Sequence, residues 1–114
     1  MRKSAYCNDR IIARDVSVAE NFFGRLRGLL GKEALLPGEG LLLTKVSSIH
    51  CFFMKFAIDA VYLSEDMVVT GVETVQPWHV GKRFPHTKHT LEVEAGVAIE
   101  HLQKGDRLEF KDMI

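Results

Sequence analysis

The run Ser48-Ile49-His50-Cys51-Phe52-Phe53-Met54-Lys55-Phe56-Ala57-Ile58-Asp59-Ala60-Val61-Tyr62-Leu63 constrains the fold more than any other stretch. It is the longest apolar run in the chain, yet it carries a histidine, a cysteine and an aspartate. Read as an extended chain, Ile49, Cys51 and Phe53 fall on one face and His50, Phe52 and Met54 on the other. Both faces are largely apolar, so a strand here must be covered on both sides. β-Branched and aromatic residues argue against a helix. The run therefore predicts two strand segments with a bend near Lys55 to Ala57. His50 and Asp59 must find partners inside the core or at its rim, because an unpaired buried carboxylate costs several kcal/mol.

With 114 residues the chain has room for one domain, residues 1–114, and buries about two-thirds of its surface without a covalent staple. Fifteen basic and fifteen acidic side chains cancel. That balance gives no electrostatic case for nucleic acid or an anionic membrane. Cys7 and Cys51 are too few for a disulfide framework. Reduced thiols and a cytoplasmic location are the expectation, with an exported precursor left open. No run approaches the roughly 18 apolar residues of a membrane span, and Asn8-Asp9-Arg10 follows the basic N-terminus where a signal peptide would need an apolar core.

Along the chain, Asn8-Asp9 forms the turn of a hairpin spanning residues 3–14. Ser17-Val18-Ala19-Glu20 reads as a capping box, and apolar residues from Val18 to Leu30 recur at helical spacing up to Gly31. A core helix over about 18–30 is expected. Strands are expected at Leu41–Val46, Asp59–Leu63, Met67–Val75, Thr90–Val93 and Arg107–Phe110, with a short second helix at about 97–103. The fold class expected is α+β and β-rich. Its mainly antiparallel sheet would roll into a small barrel-like domain. Gln76 to Thr87, with Pro77, Trp78, Gly81 and Pro85, is the longest irregular segment and the first place to look for a binding mouth.

Ile49-His50-x-Phe52-Phe53-Met54-Lys55-Phe56-x-Ile58-Asp59-x-Val61 is similar to the signature of the domain-of-unknown-function 192 family. Arg27-Gly28-Leu29-Leu30-Gly31, Pro77-Trp78, Leu91-Glu92-x-x-Ala95-Gly96 and Gly105-Asp106 resemble further elements of that family, in the same order, over about residues 11–110. The resemblance implies a compact β-rich domain of bacterial or archaeal type and no assigned activity. The chain departs from the pattern at Ala57 and Glu94, where the family usually has proline, and at Ser64 to Asp66, where it usually has a glycine.

Five residues are candidates for a ligand site: His50, Met54, Asp59, Trp78 and Glu92. His50 and Asp59 could form a general base and its orienting carboxylate, but buried pairs of this kind are more often structural. Cys51 adjoins His50 on opposite faces of an extended chain, which disfavours a thiolate–imidazolium pair. His50, Cys51, Met54, His79, His86 and His89 offer atoms suited to copper(I) or zinc, but their spacing fits no standard site and no metal is expected. Trp78 could wall a pocket or plug a barrel end, with Lys82, Arg83 and Lys88 as a positive patch around it. Glu92 could join Asp59 only if both face the same side.

No cofactor follows from these residues. The leading expectation is a non-catalytic binding or accessory domain for a small polar ligand or a protein partner, as a monomer or weak dimer. A hydrolase or isomerase using His50 and Asp59, and an assembly module pairing through an edge strand, are the alternatives.

Overall fold

A computed structural model describes residues 2–19, 35–51 and 54–113. Seven strands form one sheet: β1 (Arg2–Cys7), β2 (Arg10–Ala19), β3 (Glu39–Leu43), β4 (Ile58–Leu63), β5 (Val69–Val75), β6 (His89–Glu94) and β7 (Leu108–Asp112). Their order is β5-β4-β6-β3-β2-β1-β7. Only β2 and β3 run parallel; the other neighbours are antiparallel.

The sheet curls until its two terminal strands meet at one end. Val68 bridges Arg107. Val69 N–H donates to the Asp106 carbonyl at 2.7 Å, Gly105 N–H to the Val69 carbonyl at 2.8 Å, and Leu108 N–H to the Met67 carbonyl at 2.9 Å. The result, among the described residues, is a half-barrel joined at one end.

Each face of the curled sheet carries its own core. On the concave side Val16, Leu42, Val61, Leu63, Leu91 and Val93 pack with Ala98 and Leu102 from the turn after β6. On the convex side Leu41, Leu43, Ile58, Ala60 and Tyr62 pack beneath Ile49, Cys51 and Met54. All six residues of β4 are buried for this reason. Strand alternation sends Val61 and Leu63 to one core and Ile58, Ala60 and Tyr62 to the other.

The fold is all-β rather than α+β: the described residues contain no helix. Ser17, Val18 and Ala19 do not open one. They continue β2 and pair with Leu41, Leu42 and Leu43. Val16 and Ser17 also pair with β1, so this part of the chain gains a ladder on both sides, which outweighs a capping signal. The rest of the expected helix at 18–30 lies outside the described residues. The second expected helix, 97–103, is a series of turns. Seven residues are too few to offset helix nucleation, and the amides of its first turn are drawn to a side chain from β4, as described below. The first half of the central run also departs from expectation. Its described residues form no strand, and the pairing among them is an antiparallel bridge between His50 and Val80. The bend expected near Lys55 is present at Lys55 and Phe56.

The loop after β5 is seated by close packing. A Cβ at Gly71 would lie 2.3 Å from the Phe84 ring, so only glycine lets that ring lie on β5. Phe84 also packs on Tyr62, with ring centroids 5.0 Å apart. Thr70 and Thr87 share a hydrogen bond of 2.6 Å, and Thr87 Oγ1 donates to the Phe84 carbonyl at 2.8 Å. Gly71→Ala should destabilise the protein by about 1–3 kcal/mol through displacement of Phe84. Urea unfolding of the variant in wild-type and Phe84→Ala backgrounds checks this. The cost should largely vanish when the ring is already gone.

Candidate functional site

The expected cluster of His50, Met54, Asp59, Trp78 and Glu92 is divided by the sheet. Asp59 lies on β4 and is fully buried. Ala60, the next residue, belongs to the convex core, so Asp59 turns to the concave side. Its Oδ1 accepts from Thr74 Oγ1 at 2.6 Å. Its Oδ2 accepts the backbone N–H groups of Gly96, Ala98 and Ile99 at 3.0, 3.0 and 2.9 Å. One carboxylate thus gathers the turn after β6 and holds Ala98 in the concave core. The Asp of the central motif and the Ala95-Gly96 element, far apart in sequence, are two halves of one anchor.

Glu92 is also fully buried, but it pairs in register with Leu41 and Ala60 and shares their convex side. Asp59 and Glu92 therefore sit on opposite faces of the sheet. Met54 is buried in the convex core, where it fills space. His50 is half-buried between Ile49 and Cys51, which cover the same convex side. It does not meet Asp59, whose oxygens are engaged across the sheet. Only His50 and Trp78 of the five candidates share one surface segment.

That segment is a clip of two loops. Cys51 N–H donates to the His79 carbonyl at 2.8 Å, and Trp78 N–H to the Cys51 carbonyl at 2.7 Å. Gly81 N–H donates to the Ile49 carbonyl at 2.9 Å. Trp78 has φ 66°, a left-handed conformation that an aromatic residue rarely adopts, in a turn closed by His79 N–H donating to the Gln76 carbonyl at 3.1 Å. The Trp78 side chain stays 58% exposed, and Val80 beside it is 65% exposed.

A polar relay under the clip was not visible in the sequence. Tyr62 Oη donates to Glu73 Oε2 at 2.7 Å, and Lys82 N–H donates to the same oxygen at 2.6 Å. A Cβ at Gly81 would fall 2.4 Å from Tyr62 Oη, so this close approach requires glycine. Burial, then the bond to Glu73 and the charges of Glu73 and Glu92, push the Tyr62 phenol well above its usual range. The phenol is a fixed donor. The available signal was a tyrosine on a doubly covered strand, whose hydroxyl must find a partner.

Among the described residues no group of three or more His, Cys, Asp or Glu side chains converges to hold a metal. Nor is any helix among them long and apolar enough to cross a membrane. His89 instead has a structural bond: Lys45 N–H donates to its Nδ1 at 2.9 Å, at a turn where Lys45 has φ 61°.

Two outcomes follow for stability. Asp59→Ala strands three amides and a hydroxyl, and should cost about 3 kcal/mol or more in urea unfolding. Hydrogen exchange at Gly96, Ala98 and Ile99 should speed up before global unfolding; unchanged exchange there would contradict the anchor. Burial, then the charges of Lys88 and Lys45, hold the His89 pKa below 6.5, with Glu65 opposing. The unfolded chain therefore binds the proton first as pH falls. The His89 contribution is complete above about pH 6.5 and is lost as pH drops below it. His89→Asn, which keeps an acceptor but cannot titrate, should show a flatter loss of stability between pH 7.5 and 5.

The chain is similar to uncharacterised archaeal proteins over most of its length. A UPF0127 protein of Pyrococcus furiosus is 34% identical over 111 residues, covering 88% of this chain and 90% of the relative. One from Pyrococcus abyssi is 28% identical over 102 residues, covering 83% and 85%. The fold resembles the crystal structure of a protein of unknown function from Novosphingobium aromaticivorans, with a TM-score of 0.80, 15% identity, and coverage of 96% of this chain and 84% of that one. The matching family model spans residues 6–110, including both halves of the Asp59 anchor and the whole clip, and the chain belongs to that family: DUF192, Uncharacterized ACR, COG1430.

Proposed function

We propose that this protein is a non-catalytic binding module of one domain whose recognition surface is the clipped loop carrying Trp78 and Val80, with His50 alongside. The observation that carries this reading is Trp78. The fold holds an aromatic residue at φ 66° and leaves it exposed, although a residue of that size gains most from burial. Strained, exposed aromatics held by a rigid scaffold suit recognition. Trp78 and Val80 are both largely exposed rather than enclosed, which favours a partner protein's surface over an enclosed small ligand. A His50–Asp59 acid–base pair gains no support, since the Asp59 carboxylate is buried and occupied on the other side of the sheet.

A cytoplasmic location is part of the same proposal. Cys7 and Cys51 are thiols rather than halves of a disulfide, each buried in a different core. A reducing compartment keeps such thiols as they are.

The test is quantitative affinity capture from cell extract with wild type, Trp78→Ala and Val80→Asp. Both substitutions change exposed side chains, so circular dichroism and melting should be close to wild type. The proposal expects a species retained by wild type and lost from both variants. It expects the emission of Trp78, the only tryptophan in the chain, to shift to the blue when the purified species is added. Equal retention by all three proteins would remove this loop as the recognition surface.

A further inference from the structure

We propose a second site: the open edge of β5 accepts an extended acidic peptide segment of a partner protein as an added strand. β5 is one of the two terminal strands of the sheet, and among the described residues its end meets the β7 end through Met67, Val68 and Val69. Beyond Val69, the backbone groups that β5 turns away from β4 face no strand among the described residues. The sequence there, Val69-Thr70-Gly71-Val72-Glu73-Thr74-Val75, is rich in β-branched residues. It lacks the lysine or proline with which edge strands usually block pairing. Its one charge, Glu73, is engaged by Tyr62 and Lys82.

The first part of β5, through Val72, lines a groove of about 570 Å³. Phe84, Pro85 and His86 form one wall; Ile99, Leu102 and Lys104 belong to the other. An added strand projects successive side chains to opposite sides, so it would meet both walls in turn. The walls are fixed before any ligand arrives. Phe84 lies on Gly71, the Thr70–Thr87 bond ties its loop to β5, and the Asp59 carboxylate holds the turn that carries Ile99.

Charge selects the occupant. From Thr74 to Leu91 the chain has no acidic residue. Lys82, Arg83 and Lys88 are exposed on the loop that carries Phe84, and Lys104 is exposed on the other wall. These cations complement a segment bearing carboxylates. A second copy of this chain fits less well, since pairing β5 with β5 brings the same basic loop against itself.

The probe is a fluorescein-labelled octapeptide of alternating valine and glutamate, compared with one of alternating valine and lysine, by fluorescence anisotropy. The acidic peptide should bind and the basic one should not. The exposed charge reversals Lys82→Glu, Arg83→Glu and Lys88→Glu, combined, should weaken binding at least about tenfold, and 0.5 M salt should act in the same direction. Hydrogen exchange should slow within Val69–Val75 on binding. Trp78→Ala should leave the affinity unchanged, which separates this site from the clipped loop. Equal binding of both peptides, no binding at about 1 mM, or protection away from β5 would overturn the proposal. So would a concentration-dependent dimer in sedimentation that protects β5, which would make a second copy the occupant.

Discussion

One carboxylate decides how this half-barrel is closed. A strongly curved sheet exposes its concave side wherever its edges fail to meet, and among the described residues they meet at one end. The turn after β6 covers part of that side by sending Ala98 and Leu102 into the concave core. A turn has too few internal hydrogen bonds to hold its own shape. Asp59 supplies the missing acceptor for three of its amides and is itself oriented by Thr74. A carboxylate with four donors around it offsets its desolvation in a way that an unpaired one does not. Binding and catalysis are not needed to account for it.

The sheet's double coverage follows from the same region. β4 sits between β5 and β6 with buried residues on both faces, so it reads in sequence as an apolar run broken only by Asp59. Such a strand forces its neighbours to carry a core on each side. That explains why Glu92 is buried although it faces away from Asp59. It also explains why Tyr62 needs Glu73. The convex core is then roofed by Ile49, Cys51 and Met54, and the roof is tied to the loop after β5 by backbone bonds. Trp78 and Val80 thus ride on a lid whose placement is set by packing and by these bonds.

Much of the strand pattern was legible. The Asn8-Asp9 hairpin, the β4–β5 hairpin and the later strands follow from turn residues and β-branched content, which act locally. The Ser17 signal misled because local capping competes with two ladders that no local window contains. The first half of the central run resembled a strand because a covered segment is apolar whether or not it pairs. For the candidate site, identity was easier to read than side. Asp59, Glu92 and Met54 are buried, while His50 is half-buried and Trp78 exposed. Which face each occupies depends on register, and a single step along a strand reverses it. The positive φ of Trp78 belongs to a turn closed by His79 N–H donating to the Gln76 carbonyl, and Pro77 just before it is the local mark of such a turn.

The pairing of β1 with β7 has a consequence for how the chain reaches this structure. Lys3 lies opposite Asp112, 109 residues away. The β1–β2 hairpin can form early, but its outer edge stays bare while the intervening strands are made and paired. Topologies closed by such distant contacts fold slowly, and an uncovered edge is a point of adhesion to other chains in the meantime. The early hairpin is therefore the part of this protein most in need of shelter during synthesis. The strand that finally relieves it is also the one that completes the seam at Arg107 and Leu108.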